Sequence, residues 1–188
     1  ILGQHVHPPL EVGKVGFRPG MYMASADEVY MTVTGKGGHG ALPHSCIDPI
    51  VLTSQIVTAL QQVVSRRANP TMPSVLTFGY IASTGGSTNV IPNEVKLKGT
   101  FRTYDEKWRF EAHRVIKEMA EGMAKAMGGA CDLQVAKGYP ALINHPDLTQ
   151  NAKSYAIDYL GADNVVDLPM RMTGEDFAYY SQVMPACF

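Results

Sequence analysis

The sequence has little net charge, few cysteines and no long apolar run. Its formal net charge is −1 over 188 residues, which excludes the basic surface expected of a protein that binds nucleic acid or an anionic membrane. No apolar stretch approaches the roughly 20 residues that span a bilayer, and no segment has the pattern of a signal peptide. Because the chain starts at Ile1 within an apolar stretch and not at an initiator methionine, we expect it to be an internal part of a longer protein.

Cysteine is scarce, and its spacing excludes two common frameworks. Cys46, Cys131 and Cys187 are far apart and odd in number, which fits neither a disulfide scaffold nor a zinc knuckle. We therefore predict three reduced thiols in a cytoplasmic protein. A periplasmic or secreted enzyme that tolerates free thiols is the alternative.

Residues 26 to 138 show strand and helix patterns in the order β-α-β-β-α-β. Apolar residues alternate with polar ones in half-buried strands, and they recur at helical spacing in two longer segments. The predicted elements are a strand at 28–34, a helix at 48–67, strands at 74–81 and 94–102, a helix at 106–127 and a strand at 131–135. This order predicts a ferredoxin-like unit, in which both helices cover one face of a four-stranded antiparallel sheet.

The two flanks are too short to bury a core alone. In residues 1–25 the pattern predicts a short strand at Gln4–Val6 and then a proline-rich connection. The elements predicted in residues 139–188 are a helix at 146–160, a strand at 165–167 and a helical turn at 177–183. We therefore predict that 1–25 and 139–188 belong to one incomplete α/β domain, into which the 26–138 unit is inserted.

Histidines at two places are candidates for chemistry. His5 and His7 form a His-x-His pattern, and on a strand both rings would share one face, as in many metal sites. The alternative is a packed or exposed pair beside two prolines. His39 lies in the glycine-rich segment 35–40, where the backbone can approach a ligand closely and the imidazole can bond a substrate oxygen; the alternative is a solvated hairpin tip. The remaining histidines are predicted to lie on the surface: His44, His113 and His145.

Polar residues at two further places are candidates for substrate binding. Asn89 stands at the entry to the third predicted strand, and Arg102 leaves that strand on its polar face, where a guanidinium suits a carboxylate. The alternative for Arg102 is a solvated strand charge beside neighbouring lysines. Glu175 and Asp176 follow Gly174 at a loop-to-helix junction, either as a helix cap or as part of a site.

Four segments, taken in order, resemble one family along essentially the whole chain. They are Gln4–Val6, GKGGHGALPHSCIDPI, STNVIPNEVKLKGTFRT and MTGEDFAYY. The chain is similar to the aminoacylase and carboxypeptidase family of dinuclear metallopeptidases, and within it to the hippurate hydrolases, N-acyl-amino-acid amidohydrolases and auxin-conjugate hydrolases. The resemblance implies a lid and dimerisation domain at residues 26–138, inserted into an α/β metallohydrolase catalytic domain.

The resemblance also implies roles for residues of the catalytic part. His5 matches a histidine that ligates a metal, whereas His7 matches no residue with an assigned role. Gly174 and Glu175 match a loop that lines the substrate pocket.

Three lid residues match functional positions of the family. His39 matches a histidine that reaches across a dimer to the scissile carbonyl in the partner's site. Asn89 and Arg102 match residues that hold the substrate, and Arg102 suits its carboxylate.

The sequence departs from the family pattern at most of the metal site. The upstream cysteine-and-histidine ligand motif and the paired-glutamate segment are absent, and the chain stops at Phe188, before the final ligand histidine. Of the expected ligands only His5 is present. We therefore expect this chain to bind metal poorly and to be inactive by itself.

For the intact protein, the resemblance implies metal-dependent hydrolysis of the amide bond of an N-acyl amino acid or dipeptide. It would use two divalent metal ions (zinc, manganese, cobalt or nickel) and act as a homodimer joined through the lid. A non-catalytic family member that keeps the lid for dimerisation or binding is the first alternative. A more remote one is an RNA-recognition module, which shares the β-α-β-β-α-β order but needs basic and stacking residues on its open face.

Overall fold

A computed structural model describes residues 1–188, which divide into two compact units. Unit 1 consists of residues 1–26 and 139–188, and unit 2 of residues 27–138. In chain order the elements are β1 (Val15–Phe17), β2 (Gly20–Met23), β3 (Asp27–Thr34), β4 (Gly38–His39), α1 (Pro49–Gln62), β5 (Ser74–Ser83), β6 (Val90–Ile91), β7 (Glu94–Thr103), α2 (Glu106–Ala126), β8 (Ala130–Lys137), β9 (Leu142–Asn144), α3 (Pro146–Leu160), β10 (Val165–Asp167) and α4 (Ala178–Ser181). None of the helices combines the length and the apolar composition that crossing a membrane requires.

Unit 2 is a four-stranded antiparallel sheet packed against two helices, which confirms the predicted ferredoxin-like fold. The strand order is β5-β7-β3-β8, so β5 and β8 are the edges. The buried residues of the strands alternate with more exposed ones, and they join α1 and α2 in one apolar cluster. Large, fully buried members of this cluster are Met31, Ile56, Leu60, Phe101, Ile116 and Leu133.

Both helices of unit 2 begin at an aspartate that caps them. The Asp48 carboxylate accepts the Ile50 N–H at 2.8 Å, and a proline occupies the first helical position. The Asp105 carboxylate accepts the N–H groups two and three residues later, at 2.9 and 3.1 Å. Gly128 follows α2 with a φ of +82°, a conformation that side chains disfavour, and so ends the helix there. These local signals explain why the sequence predicts the helix starts so closely.

Replacing Thr53 by valine should stabilise the protein by about 1 kcal/mol. Thr53 is fully buried in α1, and its hydroxyl has no hydrogen-bond partner, so the folded state loses hydration without compensation. Valine has a similar shape and removes the unpaired hydroxyl. The midpoint of urea unfolding measures the gain. Thr58→Val is the control, because the exposed Thr58 hydroxyl bonds the Ser54 carbonyl; an equal gain in both variants would contradict this explanation.

Unit 1 combines two small sheets with α3 and α4. β1 pairs in parallel with β10, and β2 pairs in antiparallel with β9. The predicted α3 and β10 are present with the predicted bounds. The apolar cluster of this unit consists of Tyr22, Met23, Leu142, Phe177, Ala178 and Ala186.

The predicted strand at Gln4–Val6 is wrong. In this part of the chain only Leu2 forms a bridge, in parallel with Cys187, and the Val6 side chain is 80% exposed. Alternation predicts a strand only where one face is buried, and no strand lies beside Gln4–Val6 to bury one. The actual strands β1 and β2 lie later, in a segment rich in glycine and proline that shows no alternation.

Candidate functional site

The loop that carries His39 is held at the entry to β7. The N–H groups of Gly35 and Gly37 donate to the carbonyl oxygen and to the side-chain Oδ1 of Asn93, both at 2.9 Å. Two residues later β4 pairs with β6, so that His39 lies opposite Val90. The loop is therefore ordered by residues more than 50 positions further along the chain.

The ring of His39 is exposed, and its contact indicates which nitrogen carries the proton. Its Nδ1 accepts the Ala41 N–H at 3.1 Å. A nitrogen that accepts a hydrogen bond is unprotonated, so the neutral ring is protonated at Nε2. The Nε2–H group is thus a donor suited to an oxygen that gains negative charge.

Asn89 lies beside this histidine, whereas Arg102 does not. The Asn89 carbonyl accepts the Gly40 N–H at 2.8 Å, and its side chain is exposed. Arg102 is half-buried near the end of β7, on the face opposite the helices. At about 3.3 Å per residue, roughly 26 Å of strand separates it from Glu94 at the start of β7. The structure therefore brings His39 and Asn89 together near the start of β7. It holds Arg102 near the other end of that strand.

In unit 1 the candidate residue Glu175 has a perturbed pKa, to which His5 contributes. Burial and the hydrogen bond and charge of Asp176 raise the pKa of Glu175, whereas the charge of His5 lowers it. Gly174, the other predicted pocket residue, directly precedes Glu175 and is half-buried. Glu175 and His5 are therefore close enough for the charge of the histidine to reach the carboxyl group.

His5 and His7 differ in their contacts. The His5 ring is exposed, and its Nδ1 lies 2.7 Å from the Val6 carbonyl oxygen. A carbonyl only accepts, so Nδ1 carries the hydrogen and Nε2 has a free lone pair, the form of histidine that ligates a metal. His7 bonds the guanidinium of Arg171 at 3.1 Å instead. Of the two, His5 is the better candidate for a metal ligand.

A complete metal centre does not form from these residues. No group of three or more His, Cys, Asp or Glu side chains gathers in residues 1–188 in a way that could hold a metal ion. The ring of His5 suits one ligand position, but structural and catalytic zinc sites need at least three protein ligands. The residues of this chain therefore do not fit a dinuclear centre by themselves.

Sequence reasoning missed a buried ion-pair network in unit 2. Arg109 is fully buried, and its Nε donates to Asp27 Oδ2 at 2.8 Å. Asp27 Oδ1 also accepts the Gly138 N–H at 3.0 Å, and Oδ2 lies 2.7 Å from Nε2 of His113. The network joins the first and last residues of unit 2.

The surface position predicted for His113 is wrong, because its side chain is only 17% exposed and bonds the buried Asp27. Arg109 continues the spacing of the buried residues of α2, at Ala112, Ile116 and Ala120. That spacing could have indicated that Arg109 is buried. It was not sufficient, because charged residues are rarely fully buried unless they are paired, and the sequence does not show the partner. By contrast, His44 and His145 are exposed.

Comparison with known proteins assigns the family. Residues 25–128, more than half of the chain, match the family model M20_dimer, the peptidase dimerisation domain. The chain belongs to the M20 peptidase family. The resemblance to aminoacylases and carboxypeptidases is thereby confirmed, and all but the first two of the matched residues lie in unit 2.

Relatives of this M20 chain include hydrolases of N-acylated amino acids. It is 37% identical to the N-acetyl-L-cysteine deacetylase of Bacillus subtilis, covering 100% of this chain and 44% of the relative. It is 38% identical to the N-acyl-L-amino acid amidohydrolase of Geobacillus stearothermophilus, covering 78% of this chain and 40% of the relative. The chain spans about half the length of the curated relatives it matches.

Solved structures share the fold along the entire chain. One, from methicillin-resistant Staphylococcus aureus, has a TM-score of 0.85 at 36% identity, covering 100% of this chain and 48% of that one. The YXEP protein of Bacillus subtilis, described as a dinuclear metal-binding peptidase of the M20 family, has a TM-score of 0.75 at 30% identity, covering 100% of this chain and 46% of that one. The M20 fold therefore includes the segments of unit 1 as well as the dimerisation domain.

Proposed function

We propose that the intact protein hydrolyses the amide bond of N-acyl amino acids or dipeptides. Unit 2 acts as its lid and dimerisation domain, and the segments 1–25 and 139–188 belong to its catalytic domain. Relatives named amidohydrolase and deacetylase match all or most of the chain, which supports this reaction class. The observation that carries the proposal is the exposed His39, whose Nε2–H is presented by an ordered loop of the M20 domain.

In this proposal His39 donates a hydrogen bond to the substrate carbonyl as that oxygen becomes an oxyanion. A single donor of this kind contributes about 3 kcal/mol to transition-state stabilisation. Asn89, beside it, orients the substrate. Gly174 and Glu175 line the pocket from the catalytic domain, where the raised pKa of Glu175 reflects its partly desolvated position beside Asp176.

The proposed cofactors are two divalent metal ions, and zinc, manganese, cobalt and nickel all accept histidine and carboxylate ligands. His5 is the one proposed ligand in this chain, through its free Nε2.

We propose a homodimer formed through the edge of unit 2 that contains α1 and β5. Neither element contains a charged residue. β5 is an edge strand that pairs with β7 on one side and with no strand on the other. Ile50 and Val51 of α1 and Ile81 of β5 are 46%, 48% and 62% exposed. The other edge, β8, carries Asp132 and Lys137. Exposed, uncharged edge strands favour pairing, whereas charges oppose it.

The reaction class is tested with the full-length protein. After incubation with each candidate divalent metal, release of free amine is measured from a panel of N-acetyl and N-benzoyl amino acids. We expect hydrolysis of at least one member and a strong loss in the His39→Ala variant. Full-length protein that binds metal but releases no amine from any member would overturn the proposal in favour of a non-catalytic family member.

Replacing Arg102 by alanine should raise KM for N-acyl amino acids about 10- to 100-fold, because one charge-assisted hydrogen bond contributes roughly 1.5–3 kcal/mol. KM for the matching N-acyl amino amides should change little, since they lack the carboxylate. Steady-state kinetics on both series measures the difference. Lys98→Ala, on the same face of β7, is the matched control. Equal changes in KM for acids and amides would show that Arg102 does not recognise the carboxylate.

A further inference from the structure

Asn93 connects the loop that carries His39 to the start of β7. Its carbonyl oxygen accepts the Gly35 N–H and its side-chain Oδ1 accepts the Gly37 N–H, both at 2.9 Å. One residue therefore fixes two alternate amides of the loop, the second of them only two positions before His39.

Gly37 also packs closely against this part of the chain. A Cβ atom on Gly37 would lie 2.5 Å from the Ile91 carbonyl oxygen and 3.0 Å from Asn93 Oδ1, well inside normal contact distances. The close approach therefore requires glycine at this position. Any larger residue at position 37 would push the loop away from Asn93. The hydrogen bond from the N–H of residue 37 to Asn93 Oδ1 would then break.

The position of the Gly37 backbone affects the His39 ring because His39 lies only two positions further along the chain and the segment between them is held by further contacts. Directly after Gly37, β4 pairs with β6 and places His39 opposite Val90. The chain then turns so that the Ala41 N–H reaches His39 Nδ1 at 3.1 Å. This last hydrogen bond selects the tautomer that is protonated at Nε2, and it forms only while the backbone of the loop keeps its turn.

We infer that Asn93 is a positioning residue, which holds the loop so that His39 presents its Nε2–H to the substrate. The inference deepens the proposed function and rests on the role of His39 in it. In this role Asn93 acts through the loop backbone and touches no substrate. The necessary property of its side chain is the Oδ1 acceptor, which aspartate keeps and leucine lacks.

The test compares Asn93→Leu and Asn93→Asp in the full-length protein. With histidine-selective nitrogen labelling, the His39 ring signals are assigned by their absence in His39→Ala, and their shifts report the protonated nitrogen. We expect Nε2–H in the wild type, a mixture of tautomers in Asn93→Leu, and the wild-type pattern in Asn93→Asp. In parallel, kcat should fall about 10-fold in Asn93→Leu with little change in KM, because misplaced catalytic groups affect turnover, and Asn93→Asp should restore it.

Asn69→Leu is the matched control, because Asn69 Oδ1 accepts the Thr71 N–H at 3.0 Å in another exposed loop of unit 2. It should change neither the His39 signals nor kcat. Gly37→Ala tests the same idea without altering Asn93 and should produce the mixed tautomer signals.

Three results would overturn the inference: unchanged His39 signals in Asn93→Leu and Gly37→Ala, no rescue by aspartate, or an equal effect of Asn69→Leu. A different result would contradict the proposed function. If His39→Ala keeps full activity, His39 has no role in hydrolysis, whereas the ring signals of Asn93→Leu still decide whether Asn93 positions it.

Discussion

If the intact protein hydrolyses N-acyl amino acids as proposed, His39→Ala should lower its kcat by about 10²- to 10³-fold, the usual cost of losing one oxyanion donor. KM should change little, because the hydrogen bond strengthens as charge develops in the transition state. Amine release under saturating substrate measures the effect. His44→Ala removes an exposed imidazole from the same loop and should stay close to wild type. A loss in kcat of less than 10-fold in His39→Ala would contradict the role proposed for His39.

A mixture of two inactive variants decides which active site His39 serves. The first variant is His39→Ala, and the second is His5→Ala, which lacks the proposed metal ligand. If His39 acts in the partner's site, a mixed dimer contains one site with both His5 and a partner His39, and random pairing restores up to about a quarter of wild-type activity. If His39 acts within its own chain, every site in the mixture remains defective. Mass analysis of the mixed dimers confirms that the subunits have exchanged.

Arg109→Met should destabilise the protein by about 3–5 kcal/mol, the cost of leaving a buried charge without its partner. Arg109 is fully buried, and Asp27, which it contacts through two nitrogens, is 1% exposed. The midpoint of urea unfolding measures the loss. Arg114→Met is the matched control on the same helix, because Arg114 pairs with glutamates at the surface, where ion pairs contribute less than about 1 kcal/mol. Equal losses in both variants would show that the buried network contributes no more than a surface pair.

The pH dependence of this loss follows from the ionisation of Asp27. Burial alone would raise the pKa of Asp27, but hydrogen bonds from Arg109, His113 and the Gly138 N–H, with the guanidinium charge, hold it well below the usual carboxyl range. The unfolded chain therefore takes up a proton at a higher pH than the folded one. The stabilisation is complete above about pH 5 and is lost progressively as pH falls further. The difference in stability between wild type and Arg109→Met should accordingly narrow below that pH.

Much of unit 2 could be predicted because its signals are local. Asp48 and Asp105 cap helices within three residues of themselves, and the alternation in β3 and β7 follows from one buried and one open face. Unit 1 was predicted less well. Its strands β1, β2 and β9 have only three or four residues, too few for a period, and β1 pairs with β10 about 150 positions away.

The candidate site shows the same limit. The sequence indicates the His39 loop as a glycine-rich motif. The hydrogen bond between Gly37 and Asn93 could not be predicted, because it joins residues 56 positions apart. The sequence predicts His113 as a surface residue because a polar side chain is usually solvated, and only the fold shows that Asp27 lies beneath it. Interactions between distant polar residues leave no periodic trace in the sequence, so they appear only when the packing is known.

The length of β7 has a consequence for how the proposed dimer would bind its substrates. The strand is a central member of the sheet and is paired along its length with β3 and β5. About 26 Å of strand separates Arg102 from Glu94, which directly follows Asn93, the residue that holds the His39 loop. This span is longer than an N-acyl amino acid. In the proposed dimer we therefore expect Arg102 and His39 of one chain to contact two different substrate molecules.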